Sequence, residues 1–314
     1  MPPKFQDEAF LNAYTGSSCN AEVMEKLNIS NDRAYCRRKA SYEKRHGELP
    51  PLVSYALHKS PSIPIKYNHH SIKDFSGSMV IFSDAHFRES EPSDAFSILL
   101  KICDKLKPDY IINNGDAFDG AAISRFPRIG WEPTPSVLDE LKATQSALSK
   151  IKQSSPESKL LWNIGNHDSR YGSYLSSHTS LFEGVEGFRL EDHFKDWKFT
   201  VSTDFNNKLI VKHRYSGGTH SSYNNTLKSG VSIVTGHTHR LNIRPYSDYN
   251  GTRYGIETGT LASPYGSQFG FCENANRDWQ SGFCVISMLN DRIYPELIEV
   301  KEGSTWFRGE IISA

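Results

Sequence analysis

The sequence predicts an α/β protein with mixed β-sheets, preceded by a small all-helical domain. Three observations carry this prediction. Short runs rich in β-branched and aromatic residues recur along residues 77–314, and such runs are typical of buried strands. Amphipathic helical patterns, such as residues 93–106 and 136–151, lie between several of these runs and indicate β–α–β connections. The N-terminal 50 residues, in contrast, contain helical patterns without a strand.

Length and composition exclude several classes of protein. The 314 residues suffice for one large or two ordinary domains, and 37% hydrophobic residues is typical of a globular chain. Lys+Arg and Asp+Glu both number 36, so bulk charge does not attract a polyanion. Five cysteines without Cys-x-x-Cys spacing indicate reduced thiols rather than a zinc site. No apolar run approaches a membrane span, so we expect a cytoplasmic protein without a membrane partner.

Residues 1–50 predict a helix-turn-helix-like domain. Helical patterns cover residues 7–14 and 21–27, the second capped by Asn20, and a third helix capped by Ser30 runs to about residue 46. In a helix-turn-helix the last helix enters the major groove of DNA. The candidate DNA contacts on this basic helix are Arg33, Arg37, Arg38 and Lys44. The alternative is a helical cap or dimerisation module whose charged face is only solvated.

Residues 51–76 predict a linker, and residues 77–314 form the second domain. The linker contains Pro61, Pro64 and a polar run, and its His69-His70 pair predicts surface residues rather than metal ligands. In the second domain, residues 198–203 and 209–212 predict two adjacent strands around the turn at residues 206–207. Four later runs, at residues 241–246, 253–257, 282–288 and 293–300, predict antiparallel strands of a second sheet.

Five short blocks rich in Asp, His and Asn adjoin strand-like runs in the second domain. They are residues 84–86 (DAH), 115–119 (GDAFD), 165–168 (GNHD), His213 and residues 236–239 (GHTH). Ligands bind beyond the carboxyl ends of strands in α/β sheets, so these blocks can converge on one site. Histidine nitrogens with carboxylate and amide oxygens suit Mn, Fe, Zn or Co. The number of ligands suits two ions rather than one.

In this order the blocks match the motifs D-x-H, G-D-x-x-D, G-N-H-[DE], H and G-H-x-H. Residues 78–300 therefore resemble the calcineurin-like metallophosphoesterase superfamily. The resemblance implies a four-layer sandwich, in which two mixed β-sheets are flanked by α-helices. It also implies a metal centre in which Asp84, His86 and His239 hold one ion, Asn166, His213 and His237 hold the other, and Asp116 bridges them.

The resemblance further implies phosphoester hydrolysis by in-line attack of a hydroxide that bridges two divalent metal ions. His167 would act at the leaving oxygen as general acid or transition-state stabiliser, and Asp119 would orient it. Manganese is our first expectation for the metal, with iron, zinc, cobalt or nickel as alternatives. His220 competes with His213 as a ligand, but His213 is preferred because it ends an apolar strand.

The motifs also narrow the range of possible substrates. Ser/Thr protein phosphatases carry Arg directly after G-D-x-x-D, where this chain has Gly120, and they lack the closing G-H-x-H. The blocks resemble more closely the double-strand-break repair nucleases and phosphodiesterases, and the layout resembles bacteriophage-encoded phosphoesterases. Together with the basic helix, this predicts a DNA nuclease. One alternative is a small-molecule or nucleotide phosphodiesterase or phosphatase whose helical module serves assembly, and another is a DNA-binding regulatory protein with a vestigial site.

An insert after the second block is a candidate substrate loop. Residues 120–135 contain Arg125 and Arg128, which can meet phosphates, and Trp131, which can stack on a base. The alternative is an ordinary packed loop anchored by Trp131. For partners we expect DNA and, by resemblance, a homodimer, and for location the host cytoplasm if a phage encodes the chain.

Overall fold

The computed structural model describes residues 3–17, 19–50, 52, 69–89, 92–126, 134–273 and 275–314. The chain divides into two compact units, unit 1 (Met1–Lys66) and unit 2 (Tyr67–Ala314). This division falls within the segment that the sequence predicts as a linker. Among the described helices, none has the combined length and apolarity needed to cross a membrane.

The described part of unit 1 contains three helices around an aromatic core. They are α1 (Pro3–Thr15), α2 (Asn20–Lys26) and α3 (Asp32–His46). The buried core comprises Phe10, Ala13, Tyr14, Val23, Tyr35, Tyr42 and Leu52. Each helix therefore buries one apolar face, as the sequence pattern predicts.

Both predicted caps in unit 1 are wrong. Asn20 is the first residue of α2 and its N-cap is Cys19. The Asn20 Oδ1 instead accepts a 2.8 Å hydrogen bond from the Tyr35 hydroxyl of α3. Asn31, not Ser30, caps α3 by accepting the Ala34 amide at 2.8 Å. Ser and Asn are similarly good N-caps, so propensity does not choose between neighbours.

The described part of unit 2 is built from strands and four helices. The strands are β1 (His70–Ile72), β2 (Gly77–Phe82), β3 (Tyr110–Asn113), β4 (Lys159–Asn163), β5 (Lys198–Thr200), β6 (Thr203–Phe205), β7 (Leu209–Val211), β8 (Ser232–Thr235), β9 (Leu241–Asp248), β10 (Gly251–Thr258), β11 (Gly282–Leu289), β12 (Arg292–Glu299), β13 (Ser304–Phe307) and β14 (Glu310–Ser313). The helices are α4 (Asp94–Leu106), α5 (Val137–Ser154), α6 (Asp168–His178) and α7 (Ser221–Ser229). Short 3₁₀ turns cover Ala121–Ile123, Ser180–Phe182, Leu190–His193 and Ser267–Cys272.

The strands form two mixed six-stranded sheets and a hairpin. The first sheet has the order β12-β11-β2-β3-β4-β5, and its strands β2 to β5 are parallel. The second sheet has the order β1-β6-β7-β8-β10-β9, with β7, β8 and β10 parallel. The pairs β9–β10 and β11–β12 are antiparallel, as the sequence predicts. The expectation that all four strands belong to a second sheet is wrong for β11 and β12, because β11 pairs with β2 of the first sheet. The hairpin pairs β13 with β14.

Alternation along the strands of the first sheet separates two cores. Met79 and Ile81 of β2 point into the core between the sheets, where they meet Phe205 and Val234 of the second sheet. Residues of the opposite parity, such as Val80 and Phe82, point into a core shared with α4 and α5. Helix α7 contacts β8, β9 and β10 of the second sheet. These layers confirm the expected pair of mixed sheets flanked by helices.

Two segments differ from their sequence prediction. Residues 198–203 are not one strand, because β5 pairs with β4 in the first sheet while β6 pairs with β7 in the second. The chain changes sheets at residues 201–202, which no local pattern marks. Residues 70–72, assigned to the linker by sequence, form the edge strand β1 beside β6. This strand is short and polar, so it lacks the apolar run that identifies a strand.

Candidate metal centre

The five polar blocks lie at the carboxyl ends of parallel strands. Blocks one to three follow β2, β3 and β4, which are neighbours in the first sheet. His213 and the last block follow β7 and β8, which are neighbours in the second sheet. Because the two sheets pack face to face, the topology brings the blocks of both sheets to one site.

Several predicted ligands have left-handed backbone conformations. The φ angles are 52° at Asp84, 42° at His86, 57° at Asp116, 70° at His237 and 58° at His239. Non-glycine residues rarely adopt this region, and those that do cluster at functional sites. The sharp turns after β2, β3 and β8 therefore direct these side chains to the site at a cost in backbone energy.

Three groups of side chains in the described part of the chain can hold a metal ion. They are Asp84 with His86 and His239, His86 with Asp116 and His167, and Asp116 with His213 and His237. Within each group the ligand atoms lie within 4.8 Å of one another. The first and third groups match the ligand sets that the resemblance implies, apart from Asn166. Asp116 and His86 each belong to two groups.

In Asp84, one carboxylate oxygen accepts hydrogen bonds, and the other has no hydrogen-bond partner among the described residues. Its Oδ2 accepts hydrogen bonds from the Ser83 hydroxyl and, at 2.9 Å, from the His237 amide. Its Oδ1 is buried without a hydrogen-bond partner among the described residues, although His239 Nε2 lies 3.2 Å away. Burial raises the pKa of Asp84, but the charges of His239 and His213 outweigh it and lower that pKa to about 2. The carboxylate is therefore ionised and presents Oδ1 to a cation.

Each of the two histidines in the first group likewise has one ring nitrogen beside a carboxylate and one buried nitrogen without a hydrogen-bond partner among the described residues. His86 donates from Nδ1 to Asp119 Oδ1 at 3.3 Å, and its buried Nε2 has no hydrogen-bond partner in the described chain. His239 has Nε2 beside Asp84 and a buried Nδ1 that also lacks a partner there. A metal-ligating histidine commonly donates its other nitrogen to a carboxylate or carbonyl, as His86 does.

His213 is held in a similar way in the third group. Its Nδ1 donates to the Asn114 carbonyl at 2.7 Å, which turns Nε2 towards the other members of the group. That Nε2 lies 3.0 Å from Asp116 Oδ2 and 3.2 Å from Asn166 Oδ1. Burial lowers the pKa of His213, but Asp116 and Asp84 outweigh it and raise that pKa to about 9. The carboxylates thus attract positive charge to this position. The competing candidate, His220, is exposed and belongs to none of the described groups.

These donors fit divalent metal ions. In the first ligand group, the buried atoms without partners among the described residues are one carboxylate oxygen and two imidazole nitrogens, which suit borderline ions such as Mn, Fe, Zn, Co or Ni. Orphaned buried polar atoms are costly unless a ligand satisfies them. The residues of the first group would hold one ion, and Asp116, His213, His237 and Asn166 would surround the other.

His167 and Asp119 lie beside the two ligand groups. His167 Nδ1 is 2.7 Å from Asp119 Oδ1, and its Nε2 is 3.9 Å from Asp116 Oδ2. Burial lowers the pKa of His167, but the hydrogen bond to Asp119 and the charge of Asp116 outweigh burial and raise it. Burial also opposes ionisation of Asp119, yet its bonds with His167 and His86 hold its pKa well below the usual range. Asp119 is thus positioned to orient His167, as the resemblance implies.

Two arginines complete this network, and neither was singled out from the sequence. Arg88 Nη2 donates to Asp119 Oδ2 at 3.0 Å, and Arg170 Nη1 donates to the Asp119 carbonyl at 2.9 Å. Arg170 Nη2 also lies 3.2 Å from His167 Nε2. Of the two, only Arg170 could have been identified from the sequence. It follows His167 by three residues at the start of α6, and side chains at that spacing are neighbours on a helix.

Asp168 holds the turns after β3 and β4 together. Its Oδ2 accepts from the amides of Asp116 and Gly165, both at 2.8 Å, and from Trp162 Nε1 at 3.0 Å. Its Oδ1 accepts from the Phe118 amide at 3.1 Å. Four donors to one buried carboxylate link the bridging position to the third block.

Gly165 is required by the close approach of these two turns. A Cβ at this position would lie 2.0 Å from Asp116 Oδ1 and 2.6 Å from the Asp116 amide. No side chain fits there without displacing the bridging carboxylate. The glycine of the G-N-H-D block therefore allows Asp116 to lie against the third block.

Glu257 and Thr238 form a second support that the sequence did not reveal. Thr238 stands between two predicted ligands, and its hydroxyl donates to Glu257 Oε1 at 2.6 Å. Ser221 donates to the same oxygen at 2.6 Å, which ties α7 to β10. Glu257 is buried at the end of β10, beside β8 in the sheet. It therefore fixes the turn that carries the last block.

Aromatic residues pack against the first ligand group. Phe269 is buried, with ring centroids 5.3 Å from His86 and 5.2 Å from His239. Trp279 lies 4.3 Å from the ring of His239. These contacts limit the rotation of both ligands.

The predicted substrate loop is described only in part. Arg125 is exposed and its guanidinium lies 5.1 Å from the ring of Phe126. Arg128 and Trp131 lie outside the described residues. A role for these three residues stays a prediction.

The fold and centre together define a phosphoesterase that depends on divalent metals. The sequence profile of the calcineurin-like phosphoesterases matches residues 78–254, more than half of the chain. The chain belongs to this family.

Two phage proteins are similar to much of the chain. The gene 54 protein of Mycobacterium phage L5 is 25% identical over 244 residues, covering 72% of this chain and 94% of that protein. The gene 54 protein of Mycobacterium phage D29 is 26% identical over 216 residues, covering 63% and 84%.

Solved structures show more distant likeness. Vacuolar protein sorting 29 from Cryptosporidium parvum matches 77% of this chain and all of its own, with 15% identity and a TM-score of 0.42. Yfce, a phosphoesterase from E. coli, matches 70% of this chain and 98% of its own, with 13% identity and a TM-score of 0.33.

Proposed function

We propose that this chain is a two-metal phosphodiesterase that cleaves DNA. The observation that carries the proposal is the pair of ligand groups at the strand ends, with Asp116 between them and His167 beside it. Metal ions held there would supply a hydroxide for in-line attack and neutralise charge on the phosphate. Manganese is our choice among the ions that suit these donors.

The residues of the chain itself supply a proton at the leaving oxygen. His167 Nδ1 is occupied by Asp119, so Nε2 is the nitrogen that would carry a transferable proton, and the Arg170 Nη2 that lies 3.2 Å from it would have to move aside. The hydrogen bond to Asp119 and the charge of Asp116 raise the pKa of His167, which favours the protonated ring. Asp119, held by Arg88, keeps the ring in place. His167 is thus proposed as general acid and Asp119 as its positioning residue.

Helix α3 supports DNA as the substrate. Tyr35 and Tyr42 turn into the core of unit 1, while Arg33, Arg37 and Lys44 are exposed on another face of the helix. Arg38 is half-buried, with its guanidinium 5.9 Å from the ring of Phe10. We propose that this face contacts DNA phosphates, in the manner of a helix-turn-helix. The phage relatives support the host cytoplasm as the place of action.

Cleavage assays with a matched inactive variant test the proposal. Supercoiled plasmid, linear duplex and bis-p-nitrophenyl phosphate are each incubated with the full chain and Mn²⁺. We expect cleavage of all three, and loss of at least about 100-fold in His167→Ala. Metal binding should be unchanged in that variant, because His167 belongs to neither of the proposed ligand sets.

The outcomes separate the proposal from its alternative. Hydrolysis of the small diester with intact DNA would contradict the nuclease and favour a nucleotide-scale phosphodiesterase, with unit 1 used for assembly. No hydrolysis of any diester would contradict both. The homodimer expected from the resemblance stays a prediction.

A further inference from the structure

A cleft of about 670 Å³ adjoins the metal centre on the helix side of the first sheet. His86 lines both the cleft and the first ligand group, and Arg88 follows it along the cleft. Helix α5 forms one side with Lys142, Ser146 and Lys150, and residues around 261–268 also line the cavity. We propose that this cleft binds successive phosphates of a single nucleic acid strand that extends from the metal centre.

The spacing of the polar side chains along α5 fits several phosphates of a nucleic acid strand rather than one phosphate. Lys142, Ser146 and Lys150 recur every four residues, so they share one face of the helix. Eight residues of helix separate the two ammonium groups by about 12 Å along the axis, at 1.5 Å per residue. This distance is larger than a single phosphate group, so the two ammonium groups would contact different phosphates of the strand.

The orientation of α5 determines in which order the nucleic acid strand would pass the two lysines. Near the start of the helix, Glu140 Oε1 accepts the Ala121 amide at 3.1 Å, two residues after Asp119. Lys142 therefore lies near the loop that follows β3 and carries Asp119, and Lys150 lies two helical turns further away. A strand whose scissile phosphate occupies the metal centre would pass Lys142 before Lys150. In this respect the inference rests on the proposed function.

The charges of the cleft are available to a ligand. Within the described residues, Lys142 and Lys150 have no ion pair, whereas Lys105 pairs with Glu310 and Lys152 pairs with Asp196. Arg88 Nε is a buried donor that has no hydrogen-bond partner in the described chain.

Two carboxylates, Glu89 and Asp139, also line the cleft. Asp139 is engaged by the Ser136 amide and hydroxyl in the N-cap of α5. Asp139 stays ionised, so the lining carries three cationic groups, Arg88, Lys142 and Lys150, against the two carboxylates, and this excess favours an anionic ligand.

Binding of short DNA strands tests the cleft without catalysis. The full chain carrying His167→Ala is compared with and without Lys142→Ala and Lys150→Ala, in EDTA, by fluorescence anisotropy. The probes are labelled single strands of two and eight nucleotides. The matched control removes two ion-paired lysines, Lys105→Ala with Lys152→Ala, at equal cost in net charge.

We expect the cleft variant to weaken binding of the eight-nucleotide strand only. Two lost phosphate contacts should reduce the slope of log affinity against log salt by about 1.4, at about 0.7 per contact on single strands. The ratio of the parent's affinity to the cleft variant's affinity should therefore be roughly 25-fold larger at 0.1 M salt than at 1 M salt. The dinucleotide and the control variant should show no such change.

Three results would overturn the inference. They are an unchanged eight-nucleotide affinity, an equal loss with the control variant, and an equal loss for the dinucleotide. Competition by a nucleoside diphosphate that depends on Lys142 and Lys150 would assign the cleft to a nucleotide instead of a strand. Failure of the proposed function is distinct, because it appears as an absence of diester cleavage by the wild-type chain with Mn²⁺.

Discussion

At the scale of single residues, hydrogen bonds determine which atom of each candidate ligand is left for a cation. Asp84 presents Oδ1 because Ser83 and His237 occupy Oδ2, and His213 presents Nε2 to Asp116 and Asn166 because its Nδ1 donates to a carbonyl. The identity of these residues could be predicted from motif spacing. The atoms left free could not, because their partners come from other strands.

Glu140 is a buried carboxyl group behind the catalytic loop. Its Oε1 accepts the Ala121 amide, while its Oε2 is buried without a partner among the described residues. Burial raises the pKa of Glu140 to about 7 from the usual 4.5. Nothing in its sequence context distinguishes it from an exposed helical glutamate, since only tertiary packing buries it.

We predict that Glu140 makes the folded state less stable as pH rises from about 4.5 to 7. Over this range the residue is ionised in the unfolded chain but protonated in the folded one, so the free energy of unfolding falls. The full effect is roughly 3 kcal/mol, which Glu140→Gln should remove. Denaturant titrations at pH 5 and pH 8 in EDTA measure it. An identical pH dependence in the variant would contradict the prediction.

At the scale of elements, the turn between β4 and α6 connects the fold to the site. Asp168 accepts four hydrogen bonds there, and Gly165 leaves the space that Asp116 occupies. The turn thus sets the position of the Asp116 carboxylate from a neighbouring strand end. Gly165 and Asp168 would therefore support metal binding without being ligands themselves.

Gly165→Ala should therefore reduce bound metal although every ligand is retained. The added methyl group would lie 2.0 Å from Asp116 Oδ1, so the carboxylate or the turn must move. Metal content after equilibrium dialysis measures the loss. The control is Gly172→Ala within α6, where a Cβ meets nothing within 4 Å among the described atoms. The control should keep its metal and gain up to about 1 kcal/mol in stability. Normal metal content in Gly165→Ala would contradict this account.

The sequence predicts elements best where local pattern and packing agree. The strands β2, β3 and β4 have apolar runs that are buried on both faces, and all three were expected. The chain crossing between β5 and β6 was not expected, because residues 198–203 continue one apolar pattern across two sheets. Sheet membership depends on long-range pairing that a local window does not contain.

At the scale of the whole molecule, the chain combines a helical unit with a phosphoesterase unit. The overall charge is balanced, with 36 basic and 36 acidic residues, so the proposed DNA binding would rely on local surfaces. The family and its four layers could be predicted because five motifs occur in order. The partner of α3 could not, since a basic exposed face suits either DNA or solvent.

The proposed DNA contact of unit 1 predicts a change in salt dependence. In the full chain, Arg33→Ala, Arg37→Ala and Lys44→Ala together should reduce the slope of log affinity for duplex DNA against log salt by about 2.7. Each lost phosphate contact accounts for about 0.9 of this change. Lys105→Ala, which breaks an exposed ion pair with Glu310, serves as the control. An unchanged slope in the triple variant would identify α3 as a structural or assembly element.

The central claim is that two metal ions share the carboxylate of Asp116, and metal stoichiometry tests it most directly. Bound Mn²⁺ per chain is measured by equilibrium dialysis for the wild type, His239→Ala, His237→Ala, Asp116→Ala and His220→Ala. We predict two ions for the wild type and His220→Ala, one for each of His239→Ala and His237→Ala, and less than one for Asp116→Ala. A single ion in the wild type, or two ions retained in Asp116→Ala, would contradict the account.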